Sequence, residues 1–313
     1  MKKIVITGGA GFIGSHLCDA LIEGDYQVVC LDNLITGSGK NIKHLEKNKN
    51  FRFLKLDIIK DEIKEKDIDY IFHLASPASP VDYQKYPEET ALVNSVGTTN
   101  ILNLARKTGA RVLIASTSEV YGDPKEHPQK ETYWGNVNSF GPRSCYDESK
   151  RFAETMAYIY IHKYGVDVRV IRIFNTYGPR MRKDDGRVIS NFINQAIENR
   201  PLTIYGRGNG TRSFCYVSDM VDGIVKAMFR EKLMGEIINL GKPEEYKILD
   251  LAKKIKKMTR SKSKIVFQPP LPDDPEQRRP DISKAKKLLK WQPRVSVDEG
   301  LKKTIDYYRN LQS

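Results

Sequence analysis

Short apolar runs recur through the first two-thirds of the chain, at Ile4–Thr7, Gln27–Asp32, Phe51–Leu56, Tyr70–Leu74, Val112–Ser116 and Val168–Ile173. Their length and content predict strands. Between them the apolar positions repeat at helical spacing over Ile13–Glu23, Glu88–Thr108 and Glu148–Tyr164. Strands and helices in alternation predict a parallel sheet covered on both faces. The fold class is therefore α/β, a Rossmann-type doubly wound parallel sheet. No internal repeat or low-complexity tract interrupts it.

The last third changes character. Arg182–Arg187 reads as a polar loop, and Ile189–Glu198, Val217–Phe229 and Leu249–Met258 read as helices. Ile237–Leu240 is a strand among them, and a final helix pair covers Ile282–Leu289 and Val297–Leu311. Pro269–Pro275 is too rich in proline for a helix or a central strand. This predicts a smaller α/β substrate-binding domain interleaved with the first. Residues 1–174, with 214–241 returning to them, form the sheet domain, and 175–213 with 242–313 form the smaller one.

Composition narrows the class. The 313 residues can bury a large core, and 40% hydrophobic with 29% charged residues suits a soluble globular protein. No apolar run approaches the roughly 20 residues that span a bilayer, so no membrane partner is predicted. The chain runs from Met1-Lys2-Lys3 straight into its first strand, without the apolar stretch of a signal peptide, which predicts a cytoplasmic protein. Cys18, Cys30, Cys145 and Cys215 form no C-x-x-C pair and no metal-ligand spacing, so reduced, packed thiols are predicted and no metal. Cys145 borders Tyr146, but a thiol nucleophile needs a positioned base and none is evident, which favours packing. The net charge of +13 admits nucleic-acid binding. Yet the lysines at 253, 254, 256 and 257, and at 284, 286 and 287, sit on helical faces with apolar residues between them, which favours a solvated surface and no nucleic acid.

Gly8-Gly9-Ala10-Gly11-Phe12-Ile13-Gly14 lies between the first strand and the first helix. Glycines at 8, 11 and 14 supply a tight turn, a close backbone approach and close helix packing, and a diphosphate would rest on the helix N-terminus. A glycine turn alone can merely cap a helix. Here the second strand ends in Asp32, where a carboxylate can accept from both ribose hydroxyls and repel a ribose phosphate. That combination predicts NAD rather than NADP. Asp57-Ile58 and Leu74-Ala75-Ser76 end the third and fourth strands, where ligands of such sheets bind.

Tyr146 and Lys150 lie four apart, on one helical face, and the hydroxyl-rich stretch Ser116-Thr117-Ser118 ends the strand before them. Such a set can take a proton from an alcohol. Glu119 adds a carboxylate that alcohol oxidation alone does not need.

These residues, with Arg172–Arg180, resemble the extended short-chain dehydrogenase/reductase family. Longer strings resemble its UDP-glucuronate decarboxylase branch, the UDP-xylose synthases. They are His73–Pro80, Ser116–Pro124, Tyr133–Asn138, Gly141–Glu148, Asp185–Val188 and Pro275–Ile282, and the likeness covers essentially the whole chain. The resemblance implies NAD held by Gly8, Gly11, Phe12, Ile13, Asp32, Asn33, Thr36, Gly37, Asp57, Ile58, Leu74, Ala75, Ser76, Tyr146, Lys150 and Thr176. It implies catalysis by Thr117, Ser118, Glu119, Tyr146, Lys150 and Arg278. A UDP-sugar would be held by Tyr83, Asn175, Arg187, Val188, Thr203, Tyr205, Arg212 and Arg278. Two departures stand out. The branch has Thr-Leu-Lys-Thr-Asn where this chain has Thr90-Ala91-Leu92-Val93-Asn94, and Gln where it has Gly210.

The chemistry implied is oxidation of the sugar at C-4, loss of carbon dioxide from the resulting β-keto acid, and reduction. Lys150 and the nicotinamide charge would favour a Tyr146 phenolate, since a free tyrosine titrates near 10. Glu119 and Ser118 would position the ring or handle the C-5 proton, unless Glu119 only anchors a loop. A 4-epimerase or dehydratase of the same family is the alternative. A non-catalytic nucleotide-binding protein that holds RNA is a more distant one. Relatives pair through two helices per subunit, which here would be Glu88–Thr108 and Glu148–Tyr164, implying a homodimer with Phe152, Met156, Ile159 and Lys163-Tyr164 on the shared face.

Overall fold

The six early apolar runs form parallel strands: β1 Lys3–Thr7, β2 Gln27–Asp32, β3 Phe51–Lys55, β4 Tyr70–His73, β5 Arg111–Thr117 and β6 Val168–Ile173. The structure is a computed structural model that describes residues 1–273, 275 and 277–311. Asp274 of the proline-rich stretch and Glu276 of the Pro275–Ile282 string lie outside the described residues. A seventh strand, Ile237–Leu240, adds to the edge, and the order across the sheet is Ile237–Leu240, β6, β5, β4, β1, β2, β3. Val5 pairs with Val29 on one side and Ile71 on the other, which fixes the register at the centre. The chain changes direction across the sheet between β1 and β4. Such a switch point leaves a crevice at the carboxyl ends of the strands.

Side chains of each strand alternate between two apolar clusters, as a period of two requires. Ile4 and Ile6 enter one cluster with Phe72, Leu113 and Ile171, whereas Val5 enters the other with Val29, Ile71, Val112 and Val170. The first cluster continues without a break into Phe192, Leu251, Leu301 and Tyr308 of the last third. Small strand pairs frame that region. Leu202–Tyr205 pairs with Ile265–Gln268, and Thr211–Ser213 pairs with both Glu245–Lys247 and Gln277–Arg278.

Two helices differ from the sequence prediction. Glu88–Thr108 is not one helix but Pro87–Leu92, a π-helical turn at Val93–Gly97, and Thr98–Thr108. Periodicity cannot show such a turn, because both flanks keep the same apolar face. The turn carries Asn94 inward, where its amide donates to Ser76 Oγ and Ser149 Oγ at 3.1 Å each and to Thr90 O at 3.0 Å. Wide turns of this kind recur where a helix passes a functional site. The helix predicted from Glu148 begins at Ser144, because the N–H groups of Tyr146 and Asp147 both reach the Arg143 carbonyl at 3.0 Å. Tyr146 therefore stands in its first turn. Within the Thr90–Asn94 departure, Leu92 faces outward and Val93 lines the crevice.

Among the described residues no helix is long and apolar enough to cross a membrane. All four cysteines are free. Cys145 Sγ points at the Tyr83 carbonyl, 3.5 Å away, and burial pushes its thiol up, as packing implies.

Replacing Asn94 with Leu leaves the Ser76 and Ser149 hydroxyls without their donor. The expected cost is about 1–3 kcal/mol, read as a lower urea midpoint with an unchanged m-value.

Candidate active site

The crevice at the switch point opens into a cavity of about 570 Å³. At its floor Gly8 has φ +72°, and a Cβ there would lie 2.8 Å from Ala75 N. A Cβ on Gly14 would lie 2.1 Å from Gly8 O, so β1 and the helix Phe12–Glu23 meet at a distance only glycine allows. No side chain caps that helix and its first turn holds no acid, leaving its N–H groups to face the cavity. Asp32 accepts from Ala10 N at 2.9 Å and Leu34 N at 2.8 Å. Burial raises its proton affinity and those two bonds oppose the rise. A bare-backbone cradle with an acid at the end of β2 fits an adenine dinucleotide.

The predicted cofactor residues Gly8, Gly11, Phe12, Ile13, Asp32, Asn33 and Thr36 line this cavity. So do Asp57, Ile58, Leu74, Ala75, Ser76 and Thr176. Gly37 stands behind them, where a Cβ would come within 2.8 Å of Asp32 Oδ1. It shapes the acid's seat rather than the cavity wall.

Tyr146 and Lys150 enter the same cavity from the first turns of helix Ser144–Tyr164. Lys150 donates to Ala115 O at 2.8 Å, and its Nζ stands 5.9 Å from the Tyr146 ring centre. Burial pushes Lys150 down to about 7, with the Glu154 charge opposing. Burial raises Tyr146 well above its ordinary value, against the hydrogen bond of Thr117 and the charge of Arg187. Thr117 and Arg187 are thus the groups that pull toward the phenolate. Tyr83 stacks on Tyr146 with ring centres 5.1 Å apart and planes 6° off parallel, which fixes the phenol's orientation.

A cluster of opposite charges adjoins them. After β5 the chain turns through a 3₁₀ segment, Ser118–Tyr121, in which Thr117 Oγ1 accepts from Glu119 N at 3.2 Å. Glu119 Oε1 receives Ser118 Oγ at 3.2 Å and Arg278 Nη1 at 2.8 Å, and Oε2 receives Arg143 Nη2. Burial alone would raise Glu119, but Arg278, Arg143 and Arg212 outweigh it and hold the carboxyl at about 2. Arg278 also donates to Ser118 Oγ at 3.1 Å and to Gly122 O at 2.7 Å. Asp147 lies beside this cluster. Burial and the Glu119 charge push it up to about 7, against Arg143 and Arg278.

Comparison with known proteins places this arrangement. A family model described as GDP-mannose 4,6 dehydratase matches residues 5–304. UDP-glucuronic acid decarboxylase 1 of Danio rerio is 53% identical over 307 residues, covering 98% of this chain and 72% of that one. The Arabidopsis thaliana protein named UDP-glucuronic acid decarboxylase 1 is 52% identical, covering 98% and 70%. The chain belongs to the UDP-glucuronic acid decarboxylase family. Among solved structures, UDP-glucuronic acid 4-epimerase of Bacillus cereus with UDP-glucuronic acid and NAD superposes with a TM-score of 0.91 at 34% identity, covering 99% of both chains. UDP-glucose 4-epimerase of Thermotoga maritima, with UDP-glucose, reaches 0.91 at 32% identity, covering 99% and 100%. Sequence identity thus favours the decarboxylases over the epimerases that share the fold.

In this decarboxylase-family chain the residues predicted for the sugar nucleotide all border the cavity: Tyr83, Asn175, Arg187, Val188, Thr203, Tyr205, Arg212 and Arg278. Within that lining Arg278 donates its Nη groups to Glu119, Ser118 and Gly122. Arg187 is close enough to Tyr146 for its charge to act there, while Asp185 holds it at 2.6 and 2.7 Å. Sequence reasoning assigned no role to Arg143 or Asp147, although both lie in the Gly141–Glu148 string. Spacing could have suggested Arg143, since it stands four residues before Asp147 on the incoming turn.

The state of Asp147 makes a stability prediction. Its proton is held to about 7 in the fold but released near 4 in the unfolded chain. Stability it contributes is full below about pH 4 and is lost as pH rises through about 7. Asp147→Asn cannot lose it. Relative to the parent the variant should gain on the order of 1–3 kcal/mol between pH 4 and 7, read from urea midpoints; an unchanging difference would contradict the shift.

Proposed function

We propose that this chain oxidises UDP-glucuronate at C-4, expels its carboxyl as carbon dioxide and reduces the ketone to give UDP-xylose. One observation carries the reading. The Glu119–Arg143–Arg278 cluster, with Arg278 fully buried and the other two half-buried, stands against the Thr117–Tyr146–Lys150 set, so a carboxylate-handling site adjoins an alcohol-oxidising one. NAD, cradled by Gly8, Gly11, Phe12, Ile13 and Asp32, supplies reversible hydride acceptance when bound.

Tyr146 takes the proton of the sugar 4-hydroxyl, which Thr117 orients. The product is a β-keto acid, whose carboxyl can leave with its bonding electrons taken up by the ketone oxygen as an enolate. Tyr146 and Thr117 then stabilise that oxygen, and the charge of Arg187 favours the same anionic state. Glu119 and Ser118 hold the ring and its C-5 face. Lys150 fixes the geometry through Ala115 O. Arg187, Val188, Thr203, Tyr205 and Arg212 serve the UDP part. In this reading residues 1–174 and 214–241 bind the cofactor, and 175–213 with 242–313 bind the nucleotide-sugar.

A homodimer follows from the surface of the two long helices. Phe152 is 46% and Tyr158 64% exposed, with Ile159, Leu92 and Val96 exposed nearby. Apolar side chains grouped on packed neighbouring helices are what an isologous contact buries. Four free thiols suit a reducing compartment, and the cytoplasm is the proposed location.

Incubation with NAD and UDP-glucuronate tests the reaction. Carbon dioxide and UDP-xylose are expected, whereas UDP-galacturonate without gas would establish the epimerase alternative. Tyr146→Phe should lower turnover by about 100-fold or more with substrate binding retained. Gel filtration at micromolar concentration should give a dimer, and Ile159→Asp a monomer.

A further inference from the structure

A second cavity, of about 260 Å³, lies on the far side of Glu119 from the sugar site. Glu119, Arg143 and Arg278 belong to the walls of both cavities, so they form the partition between them. Asp147 lines only the second. The outer wall of that cavity contains Asn138 and Asp273, which are exposed and joined by a 3.0 Å hydrogen bond. The second cavity thus joins exposed residues to Glu119, and apart from the shared Glu119, Arg143, Pro275 and Arg278 its lining has no residue in common with the first.

Asp147 is an unusual group to find along it. Its residue is only 6% exposed, and Oδ1 has no hydrogen-bond partner among the described residues. Oδ2 stands 3.8 Å from Arg143 Nε, too far for a hydrogen bond. A buried carboxyl with one oxygen unbonded and an arginine no nearer than 3.8 Å to the other is costly as an anion and cheaper as an acid. The charged groups around it are Glu119 from the turn after β5, Arg143 from the approach to its helix, Arg278 from strand Gln277–Arg278 and Glu148 beside it, with Asp123 and Asp273 on the same cavity's wall.

The reaction needs a proton from outside. Oxidation and reduction at C-4 exchange one proton that Tyr146 can take and return. Loss of the carboxyl leaves C-5 one hydrogen short, and the solvent must supply it.

Resting on the decarboxylase reading above, we propose that the second cavity is the proton inlet for C-5, and that Asp147 is the positioning residue that holds the incoming proton and reloads Glu119. In the step itself the C-5–carboxyl bond breaks and its electron pair passes into the enolate, releasing carbon dioxide. The enolate pair then forms the new C-5–H bond with the proton of Glu119, and the ketone is restored. Asp147 returns a proton to Glu119 and takes one from solvent through the cavity. Two acids of different strength suit this division. The arginines around Glu119 hold its carboxyl down and burial pushes Asp147 up, so the proton the pair shares rests on Asp147 between turnovers and passes to Glu119 as the enolate draws on it. Two interacting carboxyls of this kind titrate as a pair.

The test compares parent enzyme, Asp147→Asn and Asp147→Glu with NAD and UDP-glucuronate. C-4 oxidation is followed by the absorbance of the reduced cofactor, and UDP-xylose formation by NMR across pH. Asp147→Asn should oxidise within about 3-fold of the parent and keep its KM, yet form UDP-xylose about tenfold more slowly or worse. The parent's kcat should fall as pH rises through about 7, a limb that Asp147→Asn loses and Asp147→Glu regains. Unchanged kcat and an unchanged limb in Asp147→Asn would overturn the inlet. Equal loss of oxidation and product would also overturn it, by showing a structural role. Absence of carbon dioxide from the parent itself would instead strike the decarboxylase reading, and the inlet with it.

Discussion

A guanidinium removed from water must find compensation within the fold, and Arg278 finds it 159 residues earlier in the chain. Its Nη1 serves Glu119 and Ser118 and its Nη2 serves the Gly122 carbonyl, while Nε has no partner among the described residues. Burial lowers its proton affinity and the Glu119 charge restores part of it. Removing Glu119 leaves the buried Arg278 charge with only neutral acceptors, Ser118 Oγ and the Gly122 carbonyl, which costs several kcal/mol in comparable sites, whereas Glu119 without Arg278 would still hold Arg143. The short strand that carries Arg278 is paired to Thr211–Ser213, so the sugar-side sheet is tied to the end of β5 through this one side chain.

That tie sets the chemistry. Strand β5 ends in Thr117, the residue proposed to orient the sugar alcohol, and turns at once into Ser118 and Glu119, which belong to the charge cluster. A simple alcohol oxidation requires only the first of these. Holding Glu119 as an anion between Arg143 and Arg278 prevents it from relaxing into a neutral, loosely placed acid. Burial, and after it the Glu119 charge, pushes the neighbouring Asp147 carboxyl up. Oxidation and carboxyl loss are thereby housed in adjoining parts of one cavity wall.

What was legible in the sequence follows from range. Gly8–Gly14, Asp32 and the Tyr146–Lys150 pair declare themselves through spacing along one strand or one helical face, and the structure brings them to one cavity. The π turn at Val93–Gly97 was hidden because it leaves the apolar stripe of its flanks intact. Arg143 reaches back 24 residues to Glu119, and only the fold brings those positions together. Lys150 was read as the group that tunes Tyr146; what spacing could not show is that one of its N–H groups goes to Ala115 O across the fold and that burial lowers its own proton affinity. Residues within one element could be read from pattern, and those joined across elements could not.

The central claim is that Glu119 separates decarboxylation from oxidation. Single-turnover mixing of Glu119→Gln with NAD and UDP-glucuronate, following cofactor reduction and carbon dioxide together, tests it most directly. Cofactor reduction at near-parental rate with carbon dioxide release slowed by about 100-fold is the predicted result. Release at the parental rate would remove Glu119 from the chemistry and contradict the claim.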